Sequence, residues 1–198
     1  MNRGRRATAL FLLAISWGGG RSTAAQETSR SARHLQAVRA SAPITLDGVL
    51  NEPAWTDAPV ARNFIQNEPR EGVPATFDTE VRVLYDNDAL YFGVFASDDE
   101  PDRLIVNDLK KDFTTGSSDG FTVILDTFHD QRNGYQFTTN PAGAKWDAQM
   151  VNEGRENNAN WDGIWDVATR IADTGWYAEI RIPFRTLRFN FNNSDGEV

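Results

Sequence analysis

Short apolar runs separated by turn residues recur along most of this chain, a spacing that predicts strands rather than long helices. In residues 79–85, Val81, Val83 and Tyr85 share one side, and in residues 89–97 so do Leu90, Phe92 and Val94. Asp86-Asn87-Asp88 between them predicts a tight polar turn, and hence a hairpin. Residues 120–127 form an almost continuous apolar run, as expected of a strand at the centre of a sheet with both faces covered. Residues 134–140 and 144–151 read as two strands turning at Asn140-Pro141-Ala142-Gly143. Residues 165–172 and 175–182 read as another pair around Asp173-Thr174. In the last of these, Trp176, Ala178, Ile180 and Ile182 are expected on a core face, and Tyr177, Glu179 and Arg181 on a wet one. Pro183 stops that strand and can open a short helical turn through Phe184 and Leu187.

The N-terminus carries a different signal. Arg3, Arg5 and Arg6 precede an uncharged apolar run from Ala7 to Trp17, then Gly18 to Gly20, then Thr23-Ala24-Ala25. This is the order of a secretory signal peptide over residues 1–25, cut before Gln26, and the run is too short for a permanent membrane span. Residues 26–41 are polar and aperiodic and read as a flexible leader, so the folded domain is expected over residues 42–198. Residues 192–198 read as a turn entering a further strand, so the domain is expected either to be truncated at Val198 or to give way there to a following region.

Composition narrows the partners. Residues 1–25 hold four of the 20 Lys and Arg and none of the 28 Asp and Glu, which leaves a mature net charge of −12. That balance repels nucleic acid and anionic lipid and favours neutral or cationic partners. The 173 residues after the cut suit one domain of ordinary size. With no cysteine in the chain, packing has to stabilise an exported fold without disulfides.

Four phrases, in order, resemble the family 9 carbohydrate-binding modules: Ile44-Thr45-Leu46-Asp47-Gly48-Val49-Leu50-Asn51-Glu52-Pro53-Ala54-Trp55, Val83 through Phe92, Asp119 through Asp126, and Gly175 through Phe184. Together they span nearly all of residues 43–189. The resemblance implies an all-β fold, an antiparallel, jelly-roll-like β-sandwich with short helical turns only. It also implies non-catalytic binding of a polysaccharide or oligosaccharide, any hydrolysis belonging to an attached or partner glycoside hydrolase. A narrower likeness runs through Tyr135 to Gly143, Asp147, Trp161, Trp165 and Leu187-Arg188-Phe189. It is similar to a subgroup in which the module opens a larger exported protein with an outer-membrane-barrel-like C-terminal region. The implied location is periplasmic, outer-membrane-associated or extracellular.

Sugar rings stack their C–H faces on aromatic rings and exchange hydrogen bonds with Asp, Asn, Gln and Arg. The stretch from Trp146 to Trp165 is rich in both, and its candidate binding residues are Trp146, Asp147, Arg155, Asn160 and Trp161. Trp55 and Trp176 sit in apolar phases and are expected in the core, as is Trp165. For Trp146 and Trp161, among Asn, Asp and Gly, stacking on a ligand and packing in the fold both stay open; Phe113 is a further loop aromatic.

The resembled family binds calcium structurally, and Ca2+ needs six or more oxygen ligands. Candidates are Asp86, Asp88, Asp98, Asp99, Asp119 and Asp126, although the Asp86 loop has Tyr91 and Ser97 where an EF-hand needs Gly and Glu. The chain has no Cys nucleophile, zincin helix, Walker loop or Gly-x-Ser-x-Gly elbow, so it is expected not to be an enzyme. Two other readings stay open. One is a structural or interaction domain of an outer-membrane barrel protein without sugar binding. The other is a haem-binding sandwich, which would need Met150 and His129 as axial ligands.

Overall fold

Alternation along each strand decides which side chains meet between two sheets. The computed structural model describes residues 8–13 and 34–189. Within them, strands β1 (Thr8–Leu13), β5 (Gly120–Leu125), β6 (Gly134–Thr139), β7 (Lys145–Val151) and β8 (Glu156–Asn158) form the first sheet in the order β1-β5-β6-β7-β8. Strands β2 (Val38–Arg39), β3 (Thr79–Tyr85), β4 (Ala89–Ser97), β9 (Asp166–Ala172) and β10 (Gly175–Pro183) form the second in the order β2-β3-β4-β10-β9. Pairing is antiparallel except for β1 on β5 and β2 on β3. The protein is thus the expected β-sandwich. Its helical pieces are α1 (Pro53–Asp57) and 3₁₀ turns at Pro101–Arg103, Thr115–Ser117 and Phe184–Thr186.

Register places the apolar phases opposite one another. Val83 pairs with Phe92 and Phe92 with Ile180; in the first sheet Val123 pairs with Phe137 and Leu125 with Tyr135. These residues, with Trp165, Trp176 and Leu187, make the core between the sheets. The burial expected for the 120–127 run is found, with Phe121 through Leu125 buried, but β5 stands second in its sheet, between β1 and β6, and β6 takes the middle place.

The hairpin turn is held by one carboxylate. Asp86 accepts hydrogen bonds from the Asp88 and Ala89 amides (2.7 and 2.8 Å) and from the Tyr91 hydroxyl (2.8 Å). Partial burial pushes its carboxyl up, but these three donors outweigh burial and hold it below the usual range.

The outer face of the second sheet departs from expectation. Tyr177, Glu179 and Arg181 do face away from the main core, yet this side is not wet at its centre. The chain at residues 44–58 folds back over it, and Ala54, Trp55 and Ala58 form a second core with Leu84, Ala89 and Tyr91. Glu179 is fully buried and accepts from the Asp47 and Gly48 amides (2.8 Å each) and from Trp55 Nε1 (3.0 Å). Burial pushes its carboxyl above the usual range against the pull of these three donors. Gly48 has φ +80°, and a Cβ there would stand 2.8 Å from the Thr169 carbonyl carbon, so the Asp-Gly turn requires glycine.

Part of the segment read as a leader makes defined contacts. Val38 and Arg39 pair with Leu84 and Tyr85, while Leu35 and Ala37 pack on the main core, because their small apolar side chains find a sheet edge to cover. Thr8–Leu13, from the predicted signal peptide, lies parallel along β5. The predicted cleavage site, residues 26–33 of the leader and the predicted turn at 192–198 lie outside the described residues.

Candidate functional site

Successive residues of a strand point to opposite faces, so Trp146 and Asp147 cannot share one. Trp146 stands opposite Thr138 on the outer face of the first sheet, beside the hydroxyl pair of Thr138 and Thr122 (2.9 Å), and is half-buried. Asp147 stands opposite Phe137 on the inner side and is 0% exposed. Trp161 follows β8 and returns over that inner side. Its ring lies 4.9 Å from the Tyr135 ring and 5.9 Å, edge to face, from Phe137. It is half-buried at the margin of the main core.

Arg155 and Asn160 lie at the exposed ends of β8. Arg155 follows a turn of left-handed residues, Asn152, Glu153 and Gly154, and pairs with Glu153 at 2.8 Å. Asn160 is exposed, its amide donating to Asn158 Oδ1 at 3.3 Å. The five candidates therefore fall in three places: Trp146 outside, Asp147 and Trp161 inside, and Arg155 with Asn160 along the β8 edge. Among the described residues the other tryptophans, Trp55, Trp165 and Trp176, are buried as expected, and the loop aromatic Phe113 is buried as well.

Beside Trp161 is an open groove of about 290 Å3 at the end of the first sheet. Phe128, Asn133, Tyr135, Gln149, Met150 and Arg188 are among its lining residues. Tyr135 and Gln149 face each other across β6 and β7, and Gln149 faces Asn158 across β7 and β8. The Trp161 ring, tilted by 47° against that of Tyr135, packs next to this row. The loop from β5 to β6 is braced by its own carboxylates: Asp126 accepts from the Gln131 amide at 2.7 Å, and Asp130 accepts from the Asn133 amide and side chain at 2.8 and 2.7 Å. Those bonds from Asn133 hold the Asp130 carboxyl below its usual range. Arg188 is anchored by its own backbone, with its amide donating to Tyr135 Oη (3.2 Å) and its carbonyl accepting from Thr127 Oγ1 (2.5 Å).

The groove combines aromatic surface with amide and guanidinium donors, as a polyhydroxy ligand requires. Phe128, Asn133 and Arg188 were not singled out from the sequence as binding residues. Phe128 and Asn133 share the β5–β6 loop, whereas Arg188 comes from beyond β10 and is brought to them by its backbone bonds to Tyr135 and Thr127.

A second polar cluster lies beneath Trp161. Asp147 Oδ2 accepts the Gly163 amide at 2.5 Å, and Asp147 Oδ1 lies 3.4 Å from Lys111 Nζ. The same ammonium pairs with Asp112 at 3.0 Å and Asp162 at 3.1 Å. Burial works against the charge on Lys111, but these carboxylates raise its pKa above the usual lysine range.

The acidic residues considered for calcium are spread over separate loops. Asp86 and Asp126 are occupied as described, and Asp119 accepts the Ile105 amide at 2.7 Å, its carboxyl pushed up by burial. Among the described residues, no three His, Cys, Asp or Glu side chains converge on a point where a metal could sit.

Comparison with known proteins gives two findings. The family model described as carbohydrate family 9 binding domain-like matches residues 46–196. Among solved structures, the chain is similar to a family 9 carbohydrate binding module from Caldicellulosiruptor kristjanssonii in complex with glucose. That match has a TM-score of 0.51 and 15% identity, covering 77% of this chain and 71% of that one. The module in complex with cellotriose, from the same organism, gives 0.49 at 15% identity, covering 74% and 66%. No curated protein matches the sequence.

Proposed function

We propose that this chain, which belongs to the carbohydrate family 9 binding domain-like family, is a non-catalytic module that binds an oligosaccharide or polysaccharide. The family match across residues 46–196 carries the reading. The groove supports it on chemical grounds: Phe128 supplies ring surface, Gln149, Asn133 and Arg188 supply hydrogen bonds, and the half-buried Trp161 ring packs against Tyr135 at the groove's inner margin. A chain with a net charge of −8 suits a neutral ligand better than a polyanion.

The finer reading is an exported accessory module. Its support is the arginine-led apolar run before Thr23-Ala24-Ala25. Delivered to the periplasm, the outer membrane or the exterior, it would hold an attached or partner glycoside hydrolase close to polysaccharide, raising effective concentration rather than rate. A barrel-like C-terminal region in a longer chain belongs to the same reading, as does a structural Ca2+ ion.

Calorimetric titration with glucose and cellotriose, alongside a broad glycan array, tests the proposal. The folded parent is expected to bind at least one glycan. Trp161→Ala and Gln149→Ala should each weaken that binding by about tenfold, while Trp146→Ala leaves it nearly unchanged. A folded parent that binds no glycan overturns the proposal. Loss of binding in Trp146→Ala alone would move the site to the outer face of the first sheet.

A further inference from the structure

We infer that Asp147 is a positioning residue for Trp161 rather than a ligand of the sugar, and that Lys111 acts with it; the effect on affinity rests on the saccharide-binding reading above. Asp147 is 0% exposed, so its carboxylate cannot reach a ligand in the groove. Both its oxygens instead serve the segment that follows Trp161. Oδ2 takes the Gly163 amide at 2.5 Å, and Oδ1 draws in Lys111, which holds Asp162 at 3.1 Å. The two residues after Trp161 are thereby tied to β7, one by its backbone and one by its side chain.

Lys111 is itself fixed in place. The neighbouring Asp112 amide donates to the Lys145 carbonyl at 2.8 Å, and Phe113 is buried, so the lysine loop is anchored at the start of β7. The indole depends on this arrangement. A Cβ at Gly163 would stand 2.7 Å from the ring of Trp161, so the ring lies directly against that backbone and follows its position. Asp147 therefore sets the position of the ring against Tyr135, and through Tyr135 the shape of the groove that residue lines. A buried carboxylate that accepts a backbone amide through one oxygen and faces an ammonium at 3.4 Å with the other, which has no hydrogen-bond partner of its own, gives such a loop a directional anchor and an electrostatic one.

The test uses the full chain with Asp147→Asn, Asp147→Leu, Lys111→Met and Trp161→Phe, and reads glycan affinity beside amide exchange at Gly163. Asp147→Leu should speed Gly163 exchange and weaken binding, each by about tenfold. Asp147→Asn keeps an acceptor oxygen for Gly163 and should fall between Leu and the parent. Lys111→Met should weaken binding less than Asp147→Leu. Asp147→Asn should cost little further affinity once Trp161→Phe is present, because both changes act through one ring.

If losses from Asp147→Asn and Trp161→Phe add in full, or if binding falls while Gly163 exchange stays at the parent rate, Asp147 is a direct ligand and the inference fails. If Asp147→Leu does not fold, Asp147→Asn and Lys111→Met decide by the same criteria. A parent without glycan binding defeats the saccharide reading alone. Gly163 exchange then decides the positioning role by itself, unchanged exchange in Asp147→Asn and Lys111→Met overturning it.

Discussion

At the scale of single residues, buried carboxylates organise this fold. Glu179 faces three N–H donors and no cation, so its replacement by an amide turns an acceptor-only group into one that also presents donors to donors. Glu179→Gln should lower stability by about 1–3 kcal/mol in urea unfolding. Because burial raises its pKa, folding favours the protonated form. Its contribution is complete below the ordinary carboxyl value of 4.5 and is lost as pH rises through the folded value. Asp86 has the opposite sign. Its lowered pKa stabilises the fold above its ordinary 3.8, and that stability is lost as pH falls through the folded value. Asp86→Asn should therefore flatten the fall in Tm between about pH 5 and pH 2. The buried state of Trp55, Trp165 and Trp176 was legible from their apolar phase. That Trp161 would lean on Tyr135 was not, because Tyr135 belongs to another strand 26 residues earlier.

At the scale of elements, α1 and β4 fit as ring and socket. A Cβ on Gly93 would stand 2.8 Å from the Trp55 ring and 2.9 Å from Leu50 Cδ2, so the indole lies directly on the strand backbone. Gly93→Ala should cost about 1–3 kcal/mol by overpacking, and Trp55→Ala about 3–5 kcal/mol by opening a cavity. In the double variant the two costs should sum to less than their total, since removing the ring removes the clash; chemical unfolding of all four proteins measures this. The strands were readable because period-two alternation of residue type runs through segments of seven to nine residues, as in β3, β4 and β10. Helix α1 was not, since its five residues are too few to display a helical period, and only Pro53 hints at its start.

At the scale of the whole molecule, the first sheet ends at β1, whose six residues pair with all of β5. A chain beginning at Gln26 would leave that edge of β5 unpaired. Its β5 amides are expected to exchange faster than those of the full chain, and the shortened chain to self-associate more readily, as hydrogen exchange and light scattering would show. Alternation, turn chemistry and composition are local properties, so the sequence by itself determined the longer strands, the hairpin at Asp86, the buried run of β5 and the sandwich class. Burial depends on which distant segment comes to lie over a face. Only the tertiary structure, therefore, could show that residues 44–58 cover Glu179, that Trp146 and Trp161 lie on opposite sides of one sheet, and that Asp147 is buried and bonded to Gly163 rather than among the residues lining the groove.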